Sequence, residues 1–160
     1  PMSRAAAAMP RKTAVAPPAL RLGGLERLVG YHLRRAQIAV FQDFSATVGD
    51  GDITPGQLGV LAIIDANPGL SQTRLGAALG IDRSTIVGVL DRLEKRGLVV
   101  RETVPRDRRS HALTLSSSGT ALLRRLETEV EAHERRATRR LSAAEREQLM
   151  TLLARIADPG

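Results

Sequence analysis

Apolar residues recur along this chain in two rhythms, one helical and one strand-like. From Leu20, the positions Leu22, Leu25, Val29, Leu33, Ala36, Val40 and Phe44 are three or four apart. That spacing predicts a helix running to about Val48. Gly49-Asp50-Gly51-Asp52 breaks it, and Thr54-Pro55 opens a second helix, with Thr54 as cap and Pro55 at the first helical position. The second helix carries Leu58, Leu61 and Ile64 and ends near Asn67-Pro68-Gly69. Two short helices follow, one capped by Ser71 and ended by Gly80, the next capped by Asp82 and running towards Gly97. The turn between them, Gly80-Ile81-Asp82, is too short for antiparallel packing and suits two helices that cross steeply. After Gly97 the period changes. Leu98 to Val104 is β-branched and roughly alternating, Pro105-Arg106-Asp107-Arg108-Arg109 reads as a charged turn, and Ser110 to Leu115 returns as a second strand. Beyond Ser118-Gly119 a long helix extends to about Arg140, and Ser142-Ala143-Ala144-Glu145 is a capping box opening the last one. The predicted fold class is mainly α with a small β-hairpin, a helix-turn-helix and hairpin lobe flanked by helices at both ends.

Composition narrows what such a fold can do. The 160 residues suffice for one domain with an extension, and the absence of cysteine excludes disulfides, thiolate metal sites and thiol redox chemistry. No apolar run approaches the ~20 residues of a membrane span, so no membrane association is expected and the cytoplasm is the expected location. The net charge is +7, and all but Lys12 and Lys95 of the 24 basic residues are arginine. The excess sits in two places. Residues 1–19, read as a disordered Ala/Pro-rich arm, carry +3 from Arg4, Arg11 and Lys12. Residues 70–115 carry +4 from nine basic against five acidic residues. A focused basic block points to an anionic partner, with double-stranded DNA foremost.

A helix-turn-helix followed at once by a basic hairpin has the parts of a winged helix. The candidate recognition helix opens with Asp82-Arg83-Ser84-Thr85, whose arginine and short hydroxyls suit base edges and phosphates in the major groove. Gly88, one turn later, leaves room for close approach, and Arg92 has the reach for a phosphate. The hairpin tip offers Arg106, Arg108 and Arg109 to the flanking minor groove, where negative potential attracts arginine.

The run Leu90-Asp91-Arg92-Leu93-Glu94-Lys95-Arg96-Gly97-Leu98-Val99, then Arg101, Asp107-Arg108-Arg109, Leu113-Thr114-Leu115 and Gly119, resembles the signature of the MarR family of transcriptional regulators. The resemblance covers about residues 22–157 in element order. It implies a homodimer built from the first and last two helices, bound to a near-palindromic operator. It also implies that Asp107, together with Arg101, orders the wing while Arg109 enters the minor groove. On this reading residues 20–53 form the first dimerisation helix, 54–115 the DNA-binding lobe and 116–160 the C-terminal dimerisation helices.

All three aromatic residues, Tyr31, Phe41 and Phe44, lie in the first helix beside His32, Arg34 and Arg35. One reading makes Phe41 and Phe44 core and Tyr31 an interface residue. The other makes these six side chains an effector cleft, with Arg34 and Arg35 either holding an anionic group or pairing with Asp43 or Asp65 of a second subunit. The stretch Gly30–Phe44 resembles the first helix of MarR-type repressors of aromatic-acid catabolism, some of which respond to aryl-coenzyme A thioesters. That resemblance implies a small-molecule effector such as p-coumaroyl-coenzyme A, with a free phenolic acid as the alternative. His32, His111 and His133 have no metal-ligand spacing and read as surface or interface groups, so neither a metal nor another cofactor is expected. No Walker A loop, nucleophile elbow or His-Glu-x-x-His is present, and an enzyme is not expected. A sequence-neutral DNA-compacting protein shares the charge pattern and stands as the other class.

Overall fold

The computed structural model describes residues 20–49, 52–104 and 107–158, with the side chains of 103–104 and 107–111 outside the description. A 3-10 turn, Gly23–Arg27, precedes α1 (Val29–Thr47), α2 (Pro55–Ala66), β1 (Leu70–Ser71), α3 (Gln72–Leu79) and α4 (Arg83–Lys95). The hairpin strands β2 (Val99–Val104) and β3 (Asp107–Leu115) follow, and α5 (Ser117–Ala137) and α6 (Ala143–Ala157) complete the order. The basic arm 1–19 and the tip residues Pro105 and Arg106 lie outside the described residues.

Local signals explain most boundaries. Thr54 Oγ1 accepts from Gln57 N–H while Gln57 Oε1 accepts from Thr54 N–H, a reciprocal cap with Pro55 just inside. Ser142 and Glu145 make the same kind of box at α6. Gly80 ends α3 at φ 61°, a left-handed conformation that a Cβ would strain, and so sets the sharp turn into α4. The expected continuous first helix is instead split. Gly23 sits at φ 60° and Leu28 is extended, so the segment before Val29 closes only a 3-10 turn. The long helix also stops earlier than expected, at Ala137.

The sheet adds a strand that periodicity did not reveal. Leu70 and Ser71 pair antiparallel with Leu113 and Ala112, which gives the order β1-β3-β2. Two residues are too few to show a period, and only the nearby strand makes them extended. β3 starts at Asp107, inside the expected turn, with Val104 paired to Asp107 after a register shift at Thr103/Val104. Backbone pairing does not depend on side-chain charge, so an arginine run can still form a ladder.

One core joins α1 through α5 and the sheet, centred on α2, α4 and α5. Val60, Leu61, Ile64, Leu75, Ile86, Leu90, Leu93, Leu113 and Leu126 are fully enclosed, each burial stabilising by about 1.5–3 kcal/mol. The inner face of α4 is Ile86, Leu90 and Leu93, which leaves Arg83, Ser84, Thr85 and Arg92 exposed on its outer side. By contrast, no residue of α6 is buried, and Leu149, Met150, Leu152, Leu153 and Ile156 stand exposed. Among the described residues no helix is long and apolar enough to cross a membrane.

Candidate nucleic-acid interface

The first turn of α4 is tied to a single carboxylate. Asp82 Oδ1 accepts from the Thr85 N–H at 2.9 Å and from the Ser84 hydroxyl at 2.5 Å, and Oδ2 accepts from the Thr85 hydroxyl at 2.6 Å. The Ser84 hydroxyl foremost, then the Thr85 hydroxyl and amide, hold the Asp82 carboxyl far below the usual carboxylate range. A Cβ at Gly88 would meet nothing within 4 Å, so the fold itself does not require a glycine there.

Arg101 joins the hairpin to α4. Its Nη2 lies 2.6 Å from Asp91 Oδ1, and its Nε, shielded from solvent, lies 3.5 Å from Glu94 Oε2. Asp91 and Glu94 stand one turn apart on α4, so the two carboxylates flank one guanidinium at the root of β2 and tie the hairpin to α4. The backbones of Asp107, Arg108 and Arg109 belong to β3, but their side chains are outside the description, as is all of Arg106.

A second set of contacts runs behind this surface. Gly49 N–H donates to Glu129 Oε2 at 2.6 Å, and Arg96 Nη1, just past α4, donates to the Asp52 carbonyl at 2.6 Å. The α1–α2 loop is thereby fastened both to α5 and to the end of α4. Nothing in the local sequence marked these two contacts, because the partners are 80 and 44 residues apart.

The effector candidates on α1 separate. Phe44 is 3% exposed and packs edge-on against the His133 ring, so it belongs to the core and is no part of an open cleft. Phe41 is exposed and shares a shallow groove of about 570 Å³ with Arg34, Gln37, Ile38, Gln42, Ser45 and Ala46. Tyr31, His32 and Arg35 lie outside that lining, with Arg35 stacked over the Tyr31 ring at 5.6 Å and His32 bonded to the Glu26 carbonyl. Asp43 does not await a partner subunit. It accepts from His133 Nδ1 at 2.7 Å and from Arg136 Nη2 at 3.2 Å, and Arg136 also donates to the Thr47 hydroxyl. These bonds, the His133 one first, lower the Asp43 pKa. His133 is thus a buried side chain, hydrogen-bonded to Asp43 and joining α1 to α5, and not the surface or interface group its isolation in sequence suggested. Among the described residues no cluster of three or more His, Asp or Glu could hold a metal ion.

An α4 with its outer face exposed, a hairpin tied to it through Arg101 and an α6 whose apolar side chains stand uncovered define a winged-helix DNA-binding protein. The model of the MarR family matches residues 51–110. Over 135 residues the chain is 44% identical to the protein assigned to regulation of the hcr operon in Thauera aromatica, covering 84% of this chain and 81% of that one. The transcriptional repressor CouR bound to a 23-mer DNA duplex superposes with a TM-score of 0.82 at 46% identity, covering 88% of this chain and 99% of CouR. CouR bound to p-coumaroyl-CoA superposes with a TM-score of 0.81 at 43% identity over 89% and 100% of the two chains. BpsR of Bordetella bronchiseptica, whose DNA binding is regulated by 6-hydroxynicotinic acid, follows with a TM-score of 0.75 at 32% identity over 81% and 98%. This chain belongs to the MarR family of transcriptional regulators. Its relatives are regulators and not enzymes.

Proposed function

We propose that this chain is a homodimeric repressor that holds a near-palindromic operator and releases it on binding an aryl-coenzyme A thioester such as p-coumaroyl-coenzyme A. The observation that carries this is the likeness to CouR over nearly all of that repressor, both with DNA and with p-coumaroyl-CoA. Residues 54–115 are the DNA-binding lobe, while 20–53 and 116–160 pair with the second subunit in the cytoplasm. The exposed Leu149, Leu152, Leu153 and Ile156 face of α6 supports that pairing, since so much uncovered leucine and isoleucine marks an interface.

Each subunit places Arg83, Ser84 and Thr85 against major-groove base edges. Gly88 permits close approach and Arg92 meets a phosphate. Arg106, Arg108 and Arg109 reach the minor groove from a wing ordered by Asp107 and Arg101. Half-sites lie about 10 bp apart on one face of the duplex. The Phe41–Ile38 groove supplies apolar surface for an aryl group, and Arg34 at its edge, with Arg35 nearby, suits the anionic part. The effector acts by preferring a dimer whose recognition helices no longer match consecutive grooves.

The test is release of a labelled duplex from upstream of the protein's own gene as p-coumaroyl-coenzyme A is added, with coenzyme A and free p-coumarate run beside it. Release by the thioester alone is expected. Release by free p-coumarate favours the second reading, a free aromatic acid, which the BpsR likeness supports. A duplex held equally in all three refutes both effector readings. Failure to prefer that duplex over random DNA by at least ~10³-fold refutes the regulator reading and favours DNA compaction.

A further inference from the structure

The hydrogen bonds at the start of α4 decide what its hydroxyls can offer to DNA. A serine or threonine hydroxyl carries one proton and two lone pairs, and an ionised carboxylate only accepts. Both hydroxyl protons are therefore spent on Asp82, one on each carboxylate oxygen. What remains exposed at Ser84 and Thr85 is lone pairs. Phosphate oxygens, guanine O6 and N7, and thymine O4 are themselves acceptors, so hydroxyls held this way gain nothing from them. Only the amino groups of adenine N6 and cytosine N4 donate into the major groove.

We infer that Asp82 is a specificity-determining residue: by holding the protons of Ser84 and Thr85 it presents both as acceptors, which select adenine or cytosine amino groups where they meet the operator. This rests on the proposed reading of α4 as the recognition helix. Asp82 itself faces the same groove with a negative charge, which adds to the preference for amino donors and against phosphate. The helix cap and the reading of bases are one device.

The experiment uses the full-length protein in three forms, wild type, Asp82→Asn and Thr85→Val, first selecting from a randomised duplex pool. The base pair whose preference disappears in Thr85→Val is the one the hydroxyl meets. Duplexes are then made with that pair lacking its exocyclic amino group (purine for adenine, 2-pyrimidinone for cytosine) or lacking purine N7. Loss of the amino group should weaken wild type about tenfold and leave Thr85→Val unchanged, while loss of N7 should change neither. Asparagine caps a helix as well as aspartate, so Asp82→Asn should fold. Its carbonyl keeps the Thr85 N–H, and its amide donates to the Thr85 hydroxyl and frees that proton to point outward. That variant should become indifferent to the amino group and turn to guanine or thymine at that pair. Removing the charge also raises affinity for every sequence, which is uniform and separable from the change at one pair. Wild type that ignores loss of the amino group, an Asp82→Asn base profile identical to wild type, or a Thr85→Val profile unchanged everywhere each overturns the inference while leaving the repressor reading intact. A wild-type protein that selects no sequence overturns both.

Discussion

Gly119 sits in the first turn of α5, where helix propensity alone favours alanine by at most ~1 kcal/mol. The structure reverses that sign. A Cβ at this position would lie 2.1 Å from the Leu98 carbonyl oxygen and 3.0 Å from its carbon, both rigid backbone atoms. To restore contact distance, α5 must retreat by about 1 Å, a displacement a close-packed interior resists. Two bonds hold it in place, from Ser116 N–H to the Leu98 carbonyl at 3.0 Å and from the Ser116 hydroxyl to the Gly97 carbonyl at 2.5 Å. Overpacking costs ~1–3 kcal/mol and loss of one bond ~1 kcal/mol, against the propensity gain. Gly119→Ala should therefore lose about 1–3 kcal/mol net, a fall in Tm of roughly 3–10 °C for a chain of this length. Thermal and urea unfolding at one fixed protein concentration, with the exposed Ser118→Ala as a control expected within ±0.5 kcal/mol, measure it. A Gly119→Ala protein as stable as wild type, or more so, would refute the reasoning.

Arg109→Ala should lose most operator affinity with unchanged helicity, and the slope of log K against log salt should flatten by about one unit; equal affinity in a salt titration would remove Arg109 from the interface. Asp43→Asn tests the α1–α5 cluster through pH. The Asp43 carboxyl is lowered from 3.8 by His133 and then Arg136, so its stabilisation is full above 3.8 and lost as pH falls through the lowered value. Urea midpoints between pH 5 and 2 should drop less steeply in the variant, and parallel acid limbs would show that the pair contributes nothing. Leu153→Asp on the outer face of α6 should yield monomers in sedimentation velocity and weaken operator binding, while a dimer of normal affinity would place the subunit interface elsewhere.

What the amino-acid order determined is local. Capping pairs such as Thr54–Gln57 and Ser142–Glu145, the Gly80 turn and the change of period at Gly97 act over a few residues, so they are legible without coordinates. The arginine-bearing start of α4 and its free outer face follow from the same arithmetic of helical spacing. Only tertiary structure decided which charges meet. Asp43 reaches His133 across 90 positions, and Arg101 chooses Asp91 and Glu94 because the hairpin folds back onto α4. The effector reading grouped Phe44 with Phe41, yet Phe44 is enclosed against His133 of α5 and Phe41 is left open, because burial depends on what packs opposite. The extended state of Leu70–Ser71 and the need for glycine at position 119 have the same cause. Each is imposed by backbone brought close from elsewhere in the chain, which no window of neighbouring residues contains.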